Sequence, residues 1–237
     1  MALPKLNTPT YELEVPSTDE KIKYRPFLVK EEKILLMAME SKDNTQIINA
    51  VKDIVSSCTF EKLNAATMPM FDMEYIFLNI RAKSVGEISK LKILCPDDKK
   101  TYASVELDLT KVEVQVGDEH SNKIELTDDM GIIMTYPTID SFLESGIETV
   151  NANNMLDIIG SCVLQIYEEK GEKVYQAKDQ TKKELTEFIE SMNSKQFKKL
   201  QSFFDTMPKL THTIKVKNPK TKKTSDVKLT GLNDFFA

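Results

Sequence analysis

The stretch ILCPDDKKTYASVELDL (Ile93–Leu109) decides how the chain is read. Two alternating runs, EISKLKILCP and KTYASVELDL, flank a Cys-Pro-Asp-Asp-Lys-Lys turn, which is the pattern of an antiparallel hairpin. A Cys-Pro corner at a hairpin end is also a common way to present a thiolate to zinc. A zinc ribbon would carry its second cysteine at position 98, and position 98 is Asp. A second hairpin end reads alike: Pro96–Thr101 is PDDKKT and Pro219–Thr224 is PKTKKT. The corner equivalent to Cys95 is Asn218, and the position equivalent to Asp98 is Thr221. Structural zinc needs four soft or borderline ligands in a tetrahedron. Cys95, Asp98, Asn218 and Thr221 do not supply them, and neither His120 nor His212 has a second ligand at zinc-finger spacing. The two hairpins are therefore expected to be zinc-ribbon-like but without their metal ligands, held by packing and backbone pairing. No metal or cofactor is expected.

Outward from this hairpin, the N-terminal YELEVPSTDEKIKYRPFLV holds two alternating runs around Pro-Ser-Thr-Asp, a further hairpin. Helical spacing follows from Glu31, then again from a cap at Asp43 or Asn44 through Ile47, Ile48, Val51, Ile54 and Val55. A third helix is expected from Pro69, with Met73, Ile76, Phe77 and Ile80 on one face. After the first ribbon-like hairpin, KVEVQV, KIELTD and GIIMTYP continue as strands. Helical spacing returns at Ile139–Leu143, and Met155, Ile158, Ile159, Cys162, Val163, Ile166 and Tyr167 read as one long helix. Two more helices follow, one opened by a Thr181–Glu184 capping box and one capped by Ser194 and stopped by Pro208. The tail with Leu232, Phe235 and Phe236 is expected to pack on its own domain. The fold class is α+β, with helix pairs and antiparallel β-hairpins. Two loosely repeated parts are expected, residues 1–137 and 138–237.

Composition excludes several functions. The 237 residues can bury a core without disulfides or metal, and Cys58, Cys95 and Cys162 imply no disulfide framework. No apolar run is long enough to span a membrane, and Met1–Thr10 does not have the pattern of a secretion leader. A net charge of -5, only two arginines (Arg25 and Arg81) and no Trp speak against a nucleic-acid surface. The lysine-rich KVKNPKTKKTSDVK, with Lys222 and Lys223, is the local exception. A nucleic-acid-binding descendant of a zinc ribbon is thus the alternative function. Catalysis is not expected: His120 lies in the turn-like GDEHSN and reads as an exposed loop histidine, the serine of IGSCVL lacks a nucleophile elbow, and Cys162 reads as a core thiol. Asp97, Asp98, Asp128 and Asp129 fall at turns that they cap or solvate.

KYRPFLVKEEKILLMAMES (Lys23–Ser41), FDMEYIFLNIRAKSVGE (Phe71–Glu87), the turn at Cys95 and the ending FFDTMPKLTHTI…LTGLNDFF together resemble the baseplate hub subunit family of T4-like contractile-tailed phages. The resemblance extends from about Tyr24 to Phe236. It implies a non-enzymatic viral protein, made in the host cytoplasm, that joins or assembles the central hub of the tail baseplate by binding other tail proteins. Relatives carry Cys-Pro-x-Cys knuckles at both hairpins, a pattern from which this chain departs at Asp98, Asn218 and Thr221. Arg25 and Phe27, inside the best-matching motif, are candidates for the interaction surface or for fixing the N-terminal hairpin; Lys222 and Lys223 are further interaction candidates.

Overall fold

A computed structural model describes residues 6–144 and 155–236. The chain forms two compact units, one from Met1–Gln115 with Lys209–Ala237 and the other from Val116–Pro208. The 137/138 boundary expected from the sequence falls inside the second unit, which is inserted into the first between two of its strands.

The first unit opens with the hairpin β1 (Tyr11–Glu14) and β2 (Lys21–Tyr24). Alternation turns Leu13 and Ile22 inward as cross-strand partners, both buried. Helix α1 (Val29–Ser41) starts where the Glu31 carboxylate accepts the Leu28 N–H at 2.5 Å, and α2 (Asn44–Cys58) starts where Asp43 accepts from the N–H groups of Thr45 and Gln46. Helix α3 (Met70–Val85) begins after Pro69 and buries Phe71, Met73, Ile76, Phe77, Leu78, Ile80 and Ala82 on more than one face, as a helix at the centre of a core must. Its one fully buried carboxylate, Asp72, accepts from the N–H and the hydroxyl of Ser17. Strands β3 (Ile88–Leu94) and β4 (Tyr102–Asp108) then form an antiparallel hairpin around the Cys95 turn, and β5 (Glu113–Gln115) ends this part of the unit.

The second unit is an antiparallel sheet in sequential order: β6 (Lys123–Glu125), β7 (Met130–Met134), β8 (Val163–Glu168) and β9 (Lys173–Gln176). Helices α4 (Ile139–Glu144), α5 (Met155–Ser161), α6 (Lys182–Glu190) and α7 (Ser194–Thr206) belong to it. The capping box between Thr181 and Glu184 forms as expected, while α7 is capped one residue early, by Asn193. Its core gathers Ile124, Ile132, Ile159, Cys162, Ile166, Leu185, Ile189, Leu200 and Phe203.

One expectation is overturned here. The apolar run from Met155 to Tyr167 is not one helix, because α5 stops at Ser161 and the chain becomes β8. Val163, Ile166 and Tyr167 fit helical spacing, but they fit a strand buried on both faces equally well. As the strand between β7 and β9, β8 has a ladder on each edge. Ile166 joins the core on one face, and on the other Tyr167 lies over Gly131, where a Cβ would come within 2.2 Å of its hydroxyl. The hairpin with β9 was likewise not expected, so this region is a mixture of sheet and helix rather than mainly helical.

After the inserted unit, β10 (Lys209–Lys217) returns to pair with β5 on one edge and with β11 (Thr224–Thr230) on the other, forming an antiparallel hairpin around the Asn218 turn. Helix α8 (Gly231–Phe236) closes the first unit. Phe235 is fully buried in a core with Leu78, Leu91, Cys95, Leu107, Leu210, Val216 and Leu229, so the apolar tail packs on its own unit. The class is α+β.

Candidate functional site

The hairpins β3–β4 and β10–β11 end in turns that share the first part of their course, the second closing one residue sooner. In the first, the Cys95 N–H donates to the Thr101 carbonyl at 2.8 Å and the Lys99 N–H to the Cys95 carbonyl at 3.0 Å. In the second, the Asn218 N–H donates to the Lys223 carbonyl at 2.8 Å and the Lys222 N–H to the Asn218 carbonyl at 3.0 Å. Lys99 (φ 52°) and Lys222 (φ 64°) occupy the left-handed region at the same place in each turn. The hexapeptide echo seen in the sequence is therefore also an echo in backbone conformation as far as the left-handed lysine, after which the second turn closes one residue sooner.

The turns are locked by different side chains. Asp98 closes the first by accepting from the N–H groups of Lys100 and Thr101, each at 3.0 Å, and from the Thr101 hydroxyl at 2.6 Å. Asn218 closes the second: its Oδ1 accepts from the N–H groups of Lys220 at 2.8 Å and Thr221 at 3.2 Å. Asp97 joins the two turns across more than a hundred residues of chain. It accepts from Asn218 Nδ2 at 2.8 Å through one carboxylate oxygen and from the Thr221 hydroxyl through the other. Asn218 is buried and uses both ends of its amide, as a buried amide must to avoid an unmade bond.

Of the four positions compared with a zinc ribbon in the sequence, Asp98, Asn218 and Thr221 are engaged as hydrogen-bonding groups, and Cys95 is buried in the apolar core beneath. The Thr101 hydroxyl and N–H and the Lys100 N–H hold Asp98 well below the usual carboxylate range; the Asn218 amide and the Thr221 hydroxyl hold Asp97 below it as well. Burial and the neighbouring Asp97 and Asp98 carboxylates push the Cys95 thiol up. Among the described residues no group of three or more His, Cys, Asp or Glu is placed to hold a metal ion. The bridging role of Asp97 is the feature that the sequence did not reveal, because its partners lie 121 and 124 positions away.

Arg25 and Phe27 lie in a separate cluster. The Arg25 guanidinium reaches Glu31 at 2.9 Å and the Ser57 hydroxyl at 3.1 Å, and Phe27 is buried with its N–H on the Ser84 hydroxyl at 2.9 Å. The pair Arg25–Glu31 ties the end of the first hairpin to the start of α1. Lys222 and Lys223 are exposed on the second turn, with Lys222 Nζ on the Pro219 carbonyl at 2.7 Å.

In the second unit, His120 is not the exposed loop residue expected from GDEHSN. Its Nδ1 lies 2.9 Å from Thr206 Oγ1 and its Nε2 3.0 Å from the Tyr136 hydroxyl, and its ring packs against Tyr136 and Phe203. Thr206 gives its own proton to the Ser202 carbonyl, so it accepts from Nδ1–H and leaves Nε2 to accept from Tyr136. Burial lowers the imidazole pKa below its ordinary value. Cys58 and Cys162 are buried, and burial pushes both thiols up to about 11. None of these groups is poised as a nucleophile at neutral pH.

Among the described residues no helix is long and apolar enough to cross a membrane. Comparison with curated proteins and with solved structures returns no match. A family model described as T4 bacteriophage base plate protein matches residues 8–237, both hairpins and the inserted unit included, and the chain therefore belongs to that family.

Proposed function

We propose that this protein is a non-enzymatic component or assembly factor of the central hub of a contractile tail baseplate, acting by binding other tail proteins. The observation that carries this reading is the pair of hairpin ends. Their ligand positions are spent on holding the turns together, which gives a rigid, exposed end of the first unit with no reactive group on it. A zinc ribbon normally draws much of its folding energy from its metal. Here the Asp97 bridge and the apolar core under Cys95 take over that task, so the ribbon architecture persists without zinc. The protein is made in the host cytoplasm and acts where the baseplate is built.

The test is a native mass spectrum of the tagged chain purified gently from phage-producing cells. Stoichiometric complexes with tail components and a subunit mass without zinc are expected. A lone monomer carrying zinc would overturn both the role and the reading of the site.

A further inference from the structure

The union of the two turns collects charge that the sequence keeps far apart. Lys99 and Lys100 of the first turn and Lys220, Lys222 and Lys223 of the second are all exposed. The Asp97 bridge brings the two turns to one end of the first unit. The only acids within the turns are Asp97 and Asp98, and both spend their oxygens on groups inside the network. Five lysines thus face two aspartates whose acceptors are already occupied.

Directly behind the first turn lies an apolar pair. Leu94 and Tyr102 are cross-strand partners, 42 % and 61 % exposed, on the solvent face of β3 and β4. Lys92, two residues before Leu94 on that face, is also exposed. An aromatic and an aliphatic side chain held rigidly on a hairpin, with lysines around them, form an anchor with a basic rim.

We propose that this end of the first unit is a docking face for an acidic segment of another tail protein, one that carries an apolar side chain to cover Leu94 and Tyr102. The inference rests on the hub reading and adds the face and the chemistry of the partner. A protein segment is favoured over nucleic acid because the cations are all lysines, without the forked guanidinium that grips phosphate, and because the chain's net charge of -5 repels a long polyanion beyond the patch.

The test uses the full chain and a short fluorescein-labelled glutamate peptide with a central Leu-Phe pair, followed by fluorescence anisotropy at several salt concentrations. Binding that weakens with salt is expected. The variant Lys100→Glu/Lys220→Glu/Lys223→Glu, which leaves the left-handed Lys99 and Lys222 in place, should bind on the order of tenfold more weakly or worse. A control of equal charge change in the second unit, Lys178→Glu/Lys182→Glu/Lys195→Glu, should bind like the unaltered chain. Tyr102→Ser should weaken binding without altering its salt dependence. Equal loss in the two triple variants, no binding at low salt, or tighter binding of a single-stranded oligonucleotide through the same lysines would overturn the proposal. In phage-producing cells, complexes with tail components that survive the tip substitutions would overturn this face alone. Their absence from the unaltered chain would overturn the hub reading with it.

Discussion

The turn at Pro96–Lys100 and the turn at Pro219–Lys222 share a left-handed lysine and the bond from it back to the corner residue, but the second closes one residue sooner and the two are locked from opposite ends. In the first, the lock sits at the fourth position counted from the corner Cys95, where Asp98 gathers the following N–H groups. In the second it sits at the first position, where Asn218 does the same for Lys220 and Thr221. A metal would impose one geometry on all its ligands at once. Here each turn has its own internal acceptor, and Asp97 supplies the link between them. The turn conformation is thus set locally, while the pairing of the turns is a separate interaction that can be removed on its own.

The largest effect is expected from building a metal site at the two corners. Asp98→Cys/Asn218→Cys/Thr221→Cys, together with native Cys95, creates a four-thiolate site at the two corners. This variant should take up one zinc ion per chain, read from native mass or from the visible absorption of the cobalt form, and zinc should raise its melting temperature. Structural zinc sites bind with apparent free energies on the order of 10 kcal/mol. If zinc neither binds nor stabilises the variant, the corners do not converge as a ribbon's do, and the comparison with a metal site fails.

Next in size is the apolar support. Leu91 is 1 % exposed in the core beneath both turns, and Leu91→Ala should cost about 2–5 kcal/mol in urea unfolding. Asn218→Ala should cost less, about 1–3 kcal/mol, since it strands two turn N–H groups and frees one oxygen of Asp97 while leaving the core filled. This order follows if packing holds the hairpins and the polar bridge aligns their ends. The reverse order would make the bridge the main support.

Much of this fold was legible from local pattern. The N-terminal hairpin, the Asp43 cap, the Thr181–Glu184 capping box and the paired strands around Cys95 all depend on residues close in sequence. What was not legible depends on partners elsewhere in the chain. Val163–Tyr167 is a strand because β7 and β9 pair with it, and no spacing inside the run could say so. His120 is enclosed because Thr206 and Phe203 come to it from α7. Asp97 reads as one more acid in a turn until Asn218 arrives beside it. The equivalence of Cys95, Asp98, Asn218 and Thr221 was visible as a repeat, but the bond joining the two copies was not.

The smallest effect separates the turns from their base by pH. Asp97 and Asp98 have folded pKa values below the ordinary 3.8, so they contribute stability above that value, and it is lost as pH falls below it. Asp97 is exposed and Asp98 half-buried at the surface, so solvent screens the contribution and the acid loss should be shallow. Glu74 behaves in the opposite sense. It lies on α3 and accepts the Leu232 N–H of α8 at 3.4 Å, and burial pushes it from the ordinary 4.5 up to about 7. Its proton is bound more tightly in the folded state, so its contribution is full below 4.5 and is lost as pH rises through about 7. Glu74→Gln should reduce the decline between about pH 5 and pH 8 in thermal melts and leave the acid limb alone. Asp97→Asn/Asp98→Asn should make the acid limb shallower, the rest of it belonging to carboxylates such as Asp43, Asp108 and Glu184, and leave the decline. A single variant that moved both limbs would mean that the turns and the docked tail unfold as one element, rather than as a locally set pair of turns on an independently packed base.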